Sequence, residues 1–355
     1  MLPYWLMFLF PSAAALAGLG QHRGGGRRDQ AFLLLLFVLF ALVMGLRDAC
    51  GGDFFNYKKT VDEIAYQSIA TSMSGSDRAF TALAILSNAL GLGVYGVNFA
   101  CGALLLYGLL RYIRTLPDPW LAIAVAVPYL IIVVGMGYIR QGVAIGFILL
   151  AISDLERRAH GWLAFHLLVA VLFHVTAVCV LPLFAVVLWR RLPAVLVFLA
   201  LLGALAYWFV LRERISGLYQ GYVVATYDSS GAMIRLLMNA VPSVVFLAFR
   251  KRFPIERRAK SFWVMVALVN LLLLLMGAVL PSSTWVDRLG LFFSPIQLVV
   301  FGYLTTVFAA DIREQRFAAL AGVLFYGAVL FVWLNYAQNS FAWVPYRSVL
   351  TADSI

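Results

Sequence analysis

Residues 120–152 read WLAIAVAVPYLIIVVGMGYIRQGVAIGFILLAI, and Arg140 is the single charged side chain in that stretch. A helix rises 1.5 Å per residue and needs about 20 apolar residues to cross about 30 Å of hydrocarbon. The stretch is too long for one crossing, and Tyr138-Ile139-Arg140-Gln141 interrupts it near the middle. Charged residues flank both ends. Two crossings joined by a polar tip fit this pattern best.

Outward from this stretch the same pattern repeats. Apolar runs at 2–18, 31–46, 94–110, 120–137, 139–152, 162–173, 176–189, 193–211, 234–249, 261–280, 289–309 and 317–334 make twelve expected spans. The run from 162 to 189 is divided around His174, as the central one is at its tip. Residues 1–18 have the length of a signal peptide but lack a basic start and a cleavage site, so they read as the first span. The chain is 63% hydrophobic and 12% charged, where a soluble domain carries about 25% charged residues. The fold class is therefore all-α, a polytopic transmembrane bundle forming one integral membrane domain over residues 1–355.

The net charge of +11 does not point to nucleic acid, because the basic residues form short clusters between apolar runs. Loops at 19–30, 111–119, 153–161, 190–192, 250–260 and 310–316 carry 17 of the 27 lysines and arginines. By the positive-inside rule these loops face the cytosol, and both termini face outward. Loops 47–93 and 212–235 and the tail 335–355 then form the outer face, and 80–92 reads as an amphipathic helix there. The three cysteines are far apart and form no CxxC pair, so neither a disulfide framework nor a zinc site is implied.

Charged groups at membrane depth are costly, so they mark candidate sites. Arg47 ends the second span and is followed by Asp53 and Tyr57. Tyr138, Arg140 and Gln141 form the tip of the central hairpin. His174 follows Phe173, Arg235 opens a span, Asp287 and Arg288 are adjacent, and Tyr346 and Arg347 lie in the tail. Each has a plainer reading. An arginine at a helix end can snorkel to the interface. A histidine can be an interior hydrogen-bonding residue, the reading preferred for His166. Asp287 and Arg288 can simply pair. Together, however, these positions share one face of the membrane. Several arginines at one face suit a phosphorylated group, because guanidinium makes bidentate bonds to phosphate and stays charged. Nearby Tyr219, Tyr222, Tyr227, Trp285 and Trp343 suit stacking on sugars, and Trp and Tyr also mark interfaces in general. Arginines without clustered acids argue against a divalent-metal site.

In Gly45-Leu46-Arg47 with Asp53 and Tyr57, Ile139-Arg140-Gln141, Phe173-His174 and Pro345-Tyr346-Arg347, the chain resembles the EpsG-like family of exopolysaccharide and O-antigen polymerases, the Wzy type. The ordered set covers nearly the whole chain, with Asp48-Ala49-Cys50 as an insertion after Arg47. The resemblance implies a GT-C-like membrane glycosyltransferase of the bacterial inner membrane with its active site facing the periplasm. Its partners would be undecaprenyl-pyrophosphate-linked oligosaccharides, membrane lipid and a chain-length regulator or export complex, with no cofactor and no metal. Arg47, Arg140 and Arg288 would hold the pyrophosphate. His174, or else Asp53, would take the acceptor proton. Tyr57, Gln141, Arg235 and Tyr346 would bind the acceptor, with Tyr138, Asp287 and Arg347 beside the substrate. A lipid-linked oligosaccharide ligase and a flippase of polysaccharide precursors are the rival readings.

Overall fold

The computed structural model describes residues 1–18, 27–188, 197, 200–204, 231–280 and 283–350. Among the described residues the named elements are helices. In order, α1 is Leu2–Leu16, α2 Arg27–Gly45, α3 Phe54–Tyr66, α4 Ile69–Ser72, α5 Arg78–Ala89, α6 Gly93–Ile113 and α7 Pro119–Gly137. Then come α8 Ile139–Arg157, α9 His160–Phe173, a 3-10 turn Val175–Val180, α10 Leu181–Leu188, α11 Ala232–Phe249 and α12 Arg257–Val279. The last are α13 Thr284–Phe293, α14 Ile296–Gly302, α15 Leu304–Phe308 and α16 Ile312–Tyr336. The chain divides into two compact units, Met1–Leu150 with Leu172–His174 and Phe301–Ile355, and Ala151–Val171 with Val175–Val300.

In the first unit α7 is the central element. It is apolar on every side, and 94% of its most apolar window is buried. That pattern marks an enclosed helix rather than a surface one. Asp118 starts it, accepting a hydrogen bond from Leu121 N at 3.0 Å, with Pro119 placed where its missing N–H costs nothing. Helices α1, α6 and α16 pack on it. Its second half, Val127–Val134, widens into a π-helix with Pro128 in its first turn. The helix ends at Tyr138, and Gly142 lies against Gly135 and Val134, so the chain folds back as the sequence suggests.

Outer positions of these helices are apolar as well. Leu34, Leu35, Val38, Leu39 and Leu42 on α2 are all exposed, as are Leu268, Leu272, Leu275 and Val279 on α12. Faces of this size would not stay in water. Five described helices, α6, α7, α11, α12 and α16, are long and apolar enough to cross a membrane. Four shorter apolar ones span Leu2–Leu16, Asp29–Gly45, His160–Phe173 and Val175–Leu188. The expected span at 193–211 lies mostly outside the described residues. The run at 289–309 is not one helix. It is cut after Phe293 at Ser294-Pro295, and again at Tyr303, into α13, α14 and α15. Pro295 has no N–H to continue the ladder, and its ring disfavours a helical residue before it.

The second unit is held by α11 packed on α12, with α13 against both. Glu256 caps α12, accepting from Arg258 N at 2.6 Å and Ala259 N at 3.3 Å. His166 pairs with Asp154 at 2.6 Å, the interior role expected of it.

One contact in the first unit leaves no room for a side chain. A Cβ on Gly108 of α6 would run into the carbonyl of Gly146 on α8. Gly108→Leu should lower stability by about 1–3 kcal/mol, as overpacking does. Gly161→Ala, where a Cβ meets nothing within 4 Å, should leave the thermal midpoint unchanged or raise it. Thermal unfolding of the two purified variants in detergent checks this.

Candidate functional site

The segment after α2 turns sharply, because Ala49 has φ 49° and Gly51 φ 107°. At Gly51 a Cβ would meet the carbonyl of Met136, so only glycine fits. This turn wraps around Arg47, which is fully buried. Its guanidinium donates to Met44 O at 2.5 Å, Cys50 O at 2.9 Å and Asn98 Oδ1 at 2.9 Å. The Asp48-Ala49-Cys50 insertion thus supplies one of the acceptors, and Asp48 accepts from Tyr95 Oη at 2.8 Å. No face of Arg47 is open to a ligand. The phosphate contact expected of it finds no room in this geometry.

The tail closes over the same turn. Asp48 N donates to Arg347 O at 3.0 Å and Val349 N to Leu46 O at 2.9 Å, forming a short antiparallel bridge. Gly51 N donates to Ala342 O at 2.7 Å. Trp343 is buried and donates to Ile132 O at 3.1 Å, and Tyr4 Oη donates to its carbonyl at 2.7 Å. Tyr346 donates to Val43 O at 2.9 Å. The side chain of Arg347 is exposed. The motifs at the two ends of the chain therefore meet, and the α7 tip joins them through Met136 and Gly137.

Beside this closure lies the second cluster. Arg140, on the first turn of α8, donates to Asp77 Oδ2 at 2.7 Å and keeps 38% of its side chain exposed. Its guanidinium carbon stands 5.3 Å from the ring centres of both Tyr57 and Phe80, within cation–π range. His174 Nδ1 is 3.7 Å from the same carboxylate oxygen of Asp77. Asp77 precedes α5, Tyr57 sits on α3, and His174 is the break after α9, so four separate segments converge. Burial pushes the Tyr57 phenol up to about 12, with the neighbouring Arg140 pulling the other way. Gln141 is buried next to Arg140, and Tyr138 is half-buried at the tip. Asp53 is the residue before α3, where it accepts from Asn56 Nδ2 at 3.3 Å.

Asp77 is the residue that sequence reasoning missed. It lies in SGSDR, a stretch typical of a helix start, and nothing in its neighbours marks it as a partner for Arg140. The usable signal was the need of a membrane-depth arginine for an acid. Asp53, the acid named instead, has a local partner.

The remaining expected residues lie in the second unit. Arg235 grips Asp287 with both ends of its fork, Nε to Oδ1 and Nη2 to Oδ2, each at 2.7 Å. Asp287 thus pairs across helices with Arg235 rather than with its neighbour Arg288, whose side chain is exposed. Tyr219, Tyr222 and Tyr227 lie outside the described residues. Among the described residues no group of three or more His, Cys, Asp or Glu side chains has a metal-holding arrangement.

The buried Arg47 gives a direct test. Hydrogen bonds to a charged group contribute about 1.5–3 kcal/mol each, and removing the donor leaves buried carbonyls unsatisfied. Arg47→Ala should lower the thermal midpoint by more than about 5 °C in detergent. Arg347→Ala, an exposed side chain whose backbone makes the bridge, should leave it within about 2 °C.

No curated protein and no solved structure matches the chain. The model of the EpsG family matches residues 30–348, nearly the whole chain and the full interval between the two motif clusters that meet in the first unit. The chain belongs to the EpsG family.

Proposed function

We propose that this chain is a membrane glycosyltransferase that polymerises lipid-linked oligosaccharides, of the exopolysaccharide polymerase type. The growing glycan moves from its undecaprenyl pyrophosphate carrier onto the non-reducing sugar of a second lipid-linked unit, at the outer leaflet of the inner membrane. Family membership supports the polymerase type, and the excess of basic residues in the opposite loops supports the outward orientation. The GT-C-like architecture belongs to the same proposal.

The observation that carries the reading is Asp77 shared between Arg140 and His174. The reaction breaks the bond from the anomeric carbon to the pyrophosphate oxygen and forms one to the acceptor hydroxyl oxygen, which loses its proton. Charge grows on the departing pyrophosphate, and Arg140 is the fixed cation with an accessible face to meet it. Tyr57 and Phe80 hold its guanidinium from the sides, so little reorganisation is needed as charge develops. His174 receives the proton as the general base. Asp77 stabilises the imidazolium that results and orients both partners. Arg47 acts as a positioning residue that fixes the turn and the tail around the site. Gln141, Tyr138, Tyr346, Arg347 and Asp53 line the acceptor side in this reading. Arginine supplies the positive charge, so the proposed enzyme is metal-independent.

Cells carrying Arg140→Ala or Asp77→Asn should lose polymer and retain single lipid-linked repeat units at the outer leaflet, read by mass analysis of extracted glycolipids. Loss of one such charge contact corresponds to about 10²–10³ in rate. Repeat units trapped on the cytosolic side would support a flippase instead, and intact polymer lacking only its final acceptor would support a ligase. Purified enzyme should also keep its activity in a chelator, and a strict need for a divalent ion would overturn the arginine-based mechanism.

A further inference from the structure

The second unit carries a cavity of about 950 Å³ whose lining includes Arg158, Arg250, Arg257 and Arg258. These come from the turn after α8, the end of α11 and the start of α12. The Arg235–Asp287 pair is at the other end of α11, roughly 22 Å away along a 1.5 Å rise. The cavity shares no residue with the Arg140–Asp77–His174 cluster, and the inference does not rest on that reading.

Four arginines and one glutamate line this cavity. Among the described residues none of the four arginines makes an ion pair with an acid. Glu256 lines the cavity, but its carboxylate is engaged by the N–H groups of Arg258 and Ala259. Arg258 Nη1 is buried and has no partner among the described residues. A buried guanidinium nitrogen without an acceptor is costly, so the site is built for an acceptor from outside. The cavity is also lined by Val186, Val187, Val264 and Met265, and Val186, on α10, is 64% exposed. Ser261 lines it as well. A lining that combines arginines with apolar side chains suits a molecule with a phosphate at one end and hydrocarbon at the other.

We propose that this cavity binds the headgroup of one anionic phospholipid, its phosphate on the four arginines and the start of its acyl chains on the valine and methionine side chains. The lipid comes from the leaflet that faces the basic loops. A free phosphate would share the arginine chemistry but would not use the apolar side chains.

Native mass spectrometry of the full chain in mild detergent separates these sources, with phosphatidylglycerol, phosphatidylcholine and inorganic phosphate as probes. The expected result is one retained phosphatidylglycerol, weak retention of phosphatidylcholine, and no displacement by millimolar phosphate. Arg257→Gln with Arg258→Gln should weaken phosphatidylglycerol binding at least tenfold, whereas Arg313→Gln with Arg316→Gln, in another basic loop, should not. Equal loss in the control pair would show general surface charge and overturn the site. Equal binding of phosphatidylcholine would overturn it too, and full displacement by phosphate would overturn the lipid as occupant. If the double variant fails to fold, Arg250→Gln carries the same test from the end of α11, and unchanged binding there would overturn the proposal.

Discussion

A cation sealed inside an apolar bundle must find acceptors within its own chain, and at Arg47 that demand organises the first unit. Met44 O is one of the carbonyls left open at the end of α2, Cys50 O belongs to the turn that follows, and Asn98 reaches across from α6. With these three fixed, the turn has few conformations left. Gly51 then comes against Met136, and the backbone edge at Leu46 and Asp48 is presented to the tail. Tail residues 342–349 add their bridge to a surface that already exists. The first-named motif and the last are therefore one structure, although about 300 residues separate them in sequence.

That closure also fixes the place of the Arg140–Asp77 pair. The tip of the central hairpin is gripped from one side by the turn and by Trp343. Arg140 begins the next helix two residues after the break at Tyr138, so its place follows from the grip. On the other side Tyr57 and Phe80 confine its guanidinium, and Asp77 supplies the opposite charge. An ion pair with 38% of the arginine side chain exposed is weakly stabilising compared with a buried one. The same exposure leaves donors available to a ligand.

Much of this was legible from residue order alone. The apolar runs gave the helices, the polar interruption at 138–141 gave the fold-back, and the break at His174 gave the end of α9. The segment 80–92 was legible as a helix because its apolar residues follow helical spacing, and α5 occupies most of it. What stayed hidden depended on partners distant in the chain. Asp287 stands next to Arg288 in sequence, but a fork 52 positions earlier captures it. Adjacent helical residues point to different faces, so neighbourhood in sequence is a poor guide to pairing. Asp77 was hidden for the same reason, since its partners Arg140 and His174 lie 63 and 97 positions away. The run at 289–309 was misread for a local reason, because composition alone outweighed Pro295.

The arginines also show why residue type does not assign a role. Arg47 spends its donors on carbonyls with no exposure, and its function is to shape the chain. Arg235 commits both ends of its fork to one carboxylate, and it joins α11 to α13. Arg140 gives one nitrogen to Asp77 and keeps 38% of its side chain exposed beside two aromatic rings. All three are guanidinium groups in an apolar protein, and residue order assigned Arg47 and Arg140 to the pyrophosphate and Arg235 to the acceptor. A role in chemistry requires donors left over after the fold has taken its share. By that criterion Arg140 stands apart, with 38% of its side chain exposed against 20% for Arg235 and 0% for Arg47.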